Sequence, residues 1–145
     1  MIIFKNLKQI LEMVIQWENR LTEFYTVAEN LIKDDECKKL IALLKENHVH
    51  NLNIIKDTRI ENYGLDEWIR CADDCNADDL LPIDRLTIDT TKEEMITPIV
   101  KFEEKMKGFY VSISEKIVSR NEKELIDALV VFKERQIYEI KKCLD

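Results

Sequence analysis

The chain has 145 residues, 46% hydrophobic and 35% charged, which fits one compact domain and excludes two. Only 2 Gly and 2 Pro leave little turn punctuation for a many-stranded sheet, which argues against an all-β fold. With 29 acidic against 22 basic residues the net charge is −7, which disfavours a nucleic-acid partner, and no apolar run has the length of a membrane span or a signal peptide.

Apolar residues recur at helical spacing from the start. The first helix is expected from Asn6, which can cap, with Gln9 in the answering position of a capping box. Its stripe is Leu7, Ile10, Leu11, Val14, Trp17, Leu21, Phe24, Tyr25, Ala28, Leu31 and Ile32, ending near Lys33-Asp34-Asp35. A second helix carries Cys37, Leu40, Ile41, Leu44, Leu52 and Ile55 and fades before Gly64. Next the pattern predicts a short helix with Leu65, Trp68, Ile69, Ala72 and Cys75 on one face, then an irregular stretch containing Pro82. Thr91 and Glu94 form the capping box of a third helix, with Ile96, Ile99, Val100, Met106, Phe109, Tyr110, Ile113 and Ile117 on its stripe. Pro98 predicts a kink in its first turns or a later start at Thr97-Pro98. A fourth helix is expected from Asn121, with Glu124 as box partner and Leu125, Ala128, Leu129, Phe132, Ile140 and Cys143 along it.

The halves repeat each other. Asn6 and Thr91, Gln9 and Glu94, Glu18 and Glu103, Phe24 and Phe109, and Tyr25 and Tyr110 are each 85 residues apart. Further on an offset of 88 pairs Leu44 with Phe132, Lys45 with Lys133, Val49 with Ile137 and Ile55 with Cys143. The expected fold is all-α: a four-helix bundle of two helical hairpins, residues 6–60 and 91–144, joined by a long crossover over 61–90 that contains the short helix.

Polar residues on the buried stripes are the informative ones. At about 100° per residue, Glu18 and Glu103 point inward at equivalent positions of the first and third helices. The second helix turns His48 and Asn51 inward and the fourth Gln136 and Glu139, whereas Glu46 and Glu134 fall outside.

On these residues the chain resembles the rubrerythrin branch of the ferritin-like superfamily over nearly its whole length. Glu18-x5-Phe24-Tyr25 and Glu103-x5-Phe109-Tyr110 are similar to the family's odd-helix motif, a metal-ligand Glu ahead of Phe-Tyr. The family's even helices each supply Glu-x-x-His, which falls here on His48-x-x-Asn51 and Gln136-x-x-Glu139. A register one residue earlier gives Asn47-x-x-His50 and Arg135-x-x-Tyr138, so neither half keeps the motif, and rubredoxin-like Cys pairs are absent. The resemblance implies a ferritin-like bundle binding iron or another divalent metal, without a nucleotide cofactor, and pairing as a homodimer. Glu18, His48, Glu103 and Glu139 would be the ligands, with Tyr25, Asn51, Tyr110 and Gln136 as hydrogen-bonding groups around them. If catalytic, the family implies ferrous-iron oxidation or peroxide reduction. The alternative is a metal-free bundle whose polar core is a satisfied network and whose role is that of a non-enzymatic interaction or assembly scaffold. Without metal, at least one of Glu18 and Glu103 should titrate above its usual value.

The 4 cysteines show no CxxC pair, so reduced thiols in a cytoplasm are expected. Cys37 and Cys143 read as small core residues, and Met13, Met95 and Met106 as core filling. Cys71 and Cys75, one helical turn apart, read as packing beside Trp68, which should bury its apolar face. Residues 61–90 hold nine acidic and two basic residues, carrying the whole net charge, and read as a solvated crossover.

Overall fold

Two of the three expected capping boxes form. The Asn6 side chain accepts from the Gln9 N–H at 2.9 Å while Gln9 accepts from the Asn6 N–H at 3.1 Å. Thr91 and Glu94 make the same reciprocal pair. In the computed structural model, which describes residues 2–57 and 67–144, these boxes open α1 (Leu7–Leu31) and α4 (Lys92–Lys116). Each helix has 25 residues, and their starts and ends lie 85 apart. The Asp34 side chain accepts from Cys37 N–H in the first turn of α2 (Asp35–Asp57). The last long helix, α5 (Arg120–Ile140), starts one residue before the expected Asn121 and follows Ser119 without a side-chain cap, so the expected Asn121–Glu124 box does not form and Glu124 accepts from Arg120 instead. Pro98 lies inside α4 and does not delay its start, since the Thr91 box already satisfies the first orphan N–H groups.

Among the described residues the long helices pack α1 on α2 and α4 on α5, with α2 against α5 and α1 against α4, around one apolar core. Val14, Leu21, Phe24 and Tyr25 from α1 meet Ile99, Phe102, Met106 and Tyr110 from α4, all fully buried. Met95 and Met106 are buried core filling, and Met13 is partly buried. Trp17 stands edge-on to Phe109 at 5.2 Å between ring centres. No described helix is long and apolar enough to cross a membrane.

Three further expectations fail. The short helix through Trp68 is a strand, β2 (Ile69–Ala72), paired antiparallel with β1 (Ile2–Lys5). Burial alternates along it, Ile69 and Cys71 inward and Arg70 outward, which is a period of 2 rather than 3.6. Trp68, just before it, is 60% exposed and not packed on the bundle; Leu65 lies outside the described residues. The crossover then runs through α3 (Ala77–Leu80) and a 3-10 turn, Ile83–Arg85, held to α1 by Arg20, which donates to the Leu81 carbonyl and pairs with Asp78.

The second failure is the reduced state expected of Cys37 and Cys143, which are buried in the core as expected. They form a disulfide between the first turn of α2 and the 3-10 turn Lys141–Leu144 after α5. Closing a loop of 106 residues stabilises by roughly 4–5 kcal/mol in the chain-entropy account. The cytoplasmic expectation rested on reduced thiols and loses that support. Cys71 and Cys75 are free, and burial pushes both thiols up, Cys75 to about 11.

The third is the repeat register of the second hairpin. Buried residues of α5 match those of α2 at the constant offset of 85: Ile41 with Ile126, Leu44 with Leu129, Leu52 with Ile137, Ile55 with Ile140. Phe132, expected on the stripe, is only partly buried, and Ala128 is exposed. At this register the residue equivalent to His48 is Lys133.

Candidate functional site

Lys133 is fully buried in the middle of the bundle. A bare ammonium there would cost several kcal/mol, so its partners decide whether the fold tolerates it. Its Nζ donates to Glu18 Oε1 and to Glu103 Oε1, each at 2.7 Å, and lies 5.9 Å from the Phe102 ring centre. The two inward carboxylates thus come together as the Glu18 and Glu103 spacing requires, with an ammonium between them.

The other predicted groups divide. His48 is buried, with Nε2 3.0 Å from the Glu18 backbone carbonyl. Nε2 therefore carries the proton, and Nδ1 keeps its lone pair. Tyr110 donates its hydroxyl to Glu18 Oε2 at 3.0 Å. Gln136 is buried but turned away, donating to the Leu44 carbonyl at 3.0 Å and so tying α5 to α2. Asn51 is half-buried. Glu139 is not with the others. It is partly exposed on α5 and pairs with Lys142 at 2.9 Å, because the true inward line of α5 runs through Lys133 and Gln136, not through Phe132. Lys133 itself went unread as a site residue; holding the offset of 85 through the second hairpin would have set it opposite His48.

The electrostatics follow from burial. For Lys133, burial alone would lower the ammonium, but Glu103 and then Glu18 outweigh it and hold the group above the ordinary lysine range. Glu103 is pushed up to about 7, by burial first and by the Glu18 charge, against the pull of Lys133. His48 is pushed down to about 4, again by burial first, so the imidazole is neutral at pH 7. Burial and the two carboxylates raise both Tyr25 and Tyr110, which stay phenols.

Glu18, His48 and Glu103 each offer a ligand atom, all within 4.8 Å of one another. Glu103 Oε2, His48 Nδ1 and Tyr25 Oη are buried with no hydrogen-bond partner among the described residues. As a dinuclear metal centre the donor set does not fit. One even helix contributes an ammonium where two cations would need a bridging carboxylate, and both Oε1 atoms are already engaged by it. No family model, curated protein or solved structure matches this chain, so functional assignment rests on this geometry.

Proposed function

We propose that the chain is a ferritin-like bundle of the rubrerythrin kind in which an internal cation, the Lys133 ammonium, takes the role of the metal centre, and that it serves as a non-enzymatic interaction or assembly scaffold. The observation that carries this reading is the 2.7 Å contact of Lys133 Nζ with both carboxylates. Two carboxylates buried in one core need positive charge between them. A lysine supplies it permanently, without dependence on metal supply.

A second reading keeps one divalent ion. It is favoured by the unpartnered Glu103 Oε2 and His48 Nδ1, a carboxylate and a neutral imidazole suited to iron, manganese or zinc. Bound iron would supply redox chemistry with peroxide or oxygen, as the family resemblance implies. Glu18, Glu103 and His48 would hold the ion, and Lys133 would repel it.

Metal uptake separates the two. After anaerobic incubation with Fe²⁺, Mn²⁺ or Zn²⁺ and gel filtration, the parent should carry no more metal than a Glu18→Ala/Glu103→Ala control, and its Tm should not move. One equivalent retained by the parent and lost in the control would overturn the first reading in favour of the second.

A further inference from the structure

Lys133, Glu18 and Glu103 come from three helices, α5, α1 and α4, and none of them is more than 1% exposed. An amine held against a carboxyl in such a core is a nucleophile beside an acyl carbon. Nζ is 2.7 Å from Glu18 Oε1. Cδ is one bond further, so it lies within about 4 Å of Nζ, near the ~3–3.5 Å from which bonds form. The two carboxyls differ in what surrounds them. Glu18 has the Lys133 ammonium on Oε1 and the Tyr110 hydroxyl donating to Oε2 at 3.0 Å. Glu103 meets Nζ through Oε1 at 2.7 Å and keeps Oε2 without a partner among the described residues. One carboxyl thus has a donor placed where an oxyanion would develop, and the other has a free lone pair and contact with the amine, as a proton carrier requires.

We infer that Lys133 and Glu18 condense to an amide that cross-links α5 to α1, with Glu103 carrying the proton and Tyr110 holding the oxyanion. Nζ passes one proton to Glu18 Oε1 along their hydrogen bond, which leaves a neutral amine and a carboxylic acid. The amine lone pair attacks Cδ, the C–N bond forms, and the Cδ–Oε2 π pair moves onto Oε2, where Tyr110 donates. Glu103 Oε1 then takes a second proton from Nζ and hands it to Glu18 Oε1, which leaves as water while the Oε2 carbonyl re-forms. One oxygen of Glu18 and two protons of Lys133 leave together, Glu103 returns to its starting form, and nothing is oxidised or reduced. In bulk water the ionised pair is the stable form. In this core the amide replaces two buried charges by one neutral group and releases a water to solvent, and fixed geometry supplies an effective concentration of about 10⁵–10⁸ M. The inference rests on the cation reading: folding sets the ammonium between the carboxylates, and in either form the core holds three helices together without metal.

Intact mass of the full chain tests it, measured under denaturing conditions after reduction of the Cys37–Cys143 disulfide. The folded parent, kept for days at neutral pH, should accumulate a species one water lighter than its sequence, whereas a sample kept in urea should not. Trypsin should then leave Lys133 uncut and release residues 9–20 joined to residues 124–135 through Glu18 and Lys133. Lys133→Met should abolish the lighter species. Glu103→Gln, shown by circular dichroism to be folded, should slow its formation by roughly a hundredfold, the usual size of a lost proton carrier. A parent that stays wholly at its sequence mass overturns the inference, whatever the variants do. So does a water loss that persists in Lys133→Met, a cross-link mapped to Glu103 in place of Glu18, or a bond that forms as fast in Glu103→Gln. Mass and metal uptake are read separately: an unbonded parent that takes up no metal keeps the cation reading and loses this inference, and an unbonded parent that retains one equivalent of metal loses both.

Discussion

The two hairpins carry the same carboxylate at the same place, yet Glu18 and Glu103 are held differently. Glu18 is saturated: Oε1 accepts from Lys133 and Oε2 from Tyr110. Among the described residues Glu103 accepts from Lys133 alone. The repeat would have Tyr25 reach Glu103 as Tyr110 reaches Glu18, and those two atoms, Tyr25 Oη and Glu103 Oε2, are among the buried groups without a partner. The backbone has kept its two-fold relation while the polar contacts have become one-sided. The cause lies on the even helices, where equivalent positions hold His48 and Lys133. The imidazole bonds to the Glu18 backbone, and the long lysine reaches both carboxylates.

The largest test of this asymmetry removes the cation. Lys133→Met fills similar volume but leaves two buried carboxylates facing each other, and should destabilise the protein by about 3–5 kcal/mol at pH 7 in urea unfolding. Adding Glu18→Gln and Glu103→Gln to Lys133→Met should recover most of that loss, because no charge is then buried unpaired. The double Gln change with Lys133 in place should itself destabilise, since the ammonium loses both anionic partners. A loss below about 1 kcal/mol in Lys133→Met would mean that the ion pair is not what holds these helices together.

What was legible in the sequence is also divided. The helices were, because periodicity and two capping boxes agree, and so were Glu18, Glu103 and His48 as inward polar residues among apolar neighbours. Lys133 was not. Sliding the second hairpin by three positions turns a helix by about 300°, so apolar residues stay within about 60° of the core face and a wrong register still looks amphipathic. Lysine is also the last residue expected on a buried stripe. The two-stranded ribbon escaped because its strands, Ile2–Lys5 and Ile69–Ala72, are only four residues long, too short for a period of 2 to be told from a turn of helix. A disulfide between residues 106 apart has no spacing signature at all.

Acid and base separate the two even-helix residues' surroundings. His48, held near 4 against an ordinary 6.5, contributes stability that is present above the unfolded value and is lost as pH falls from 6.5 through 4, by up to ~3 kcal/mol. Glu103, raised to about 7, works the other way: its contribution is complete below the ordinary glutamate value and is lost as pH rises through 7. Between about 4.5 and 6.5 the two oppose, so the parent's Tm should vary little there. His48→Gln, which can still donate to the Glu18 carbonyl, should leave a Tm that falls as pH rises. Glu103→Gln should leave one that rises. A His48→Gln curve parallel to the parent's would show that the imidazole is not held neutral by burial.

The smallest effect is the most direct measure of the one-sidedness. Tyr110→Phe removes a hydroxyl that donates to a carboxylate at 3.0 Å in the core, and hydrogen bonds to charged groups are worth about 1.5–3 kcal/mol. Glu18 would then keep only Lys133, the condition in which Glu103 already stands among the described residues, and urea unfolding should show a loss in that range. Tyr25→Phe deletes the repeat-equivalent hydroxyl, which bonds to nothing among the described residues. Because removing an unsatisfied buried polar group recovers its desolvation cost, that change should be neutral or stabilising by about 1 kcal/mol. Equal losses for the two tyrosines would mean that Tyr25 reaches Glu103 after all, and that the two halves are symmetric in their contacts as well as in their backbone.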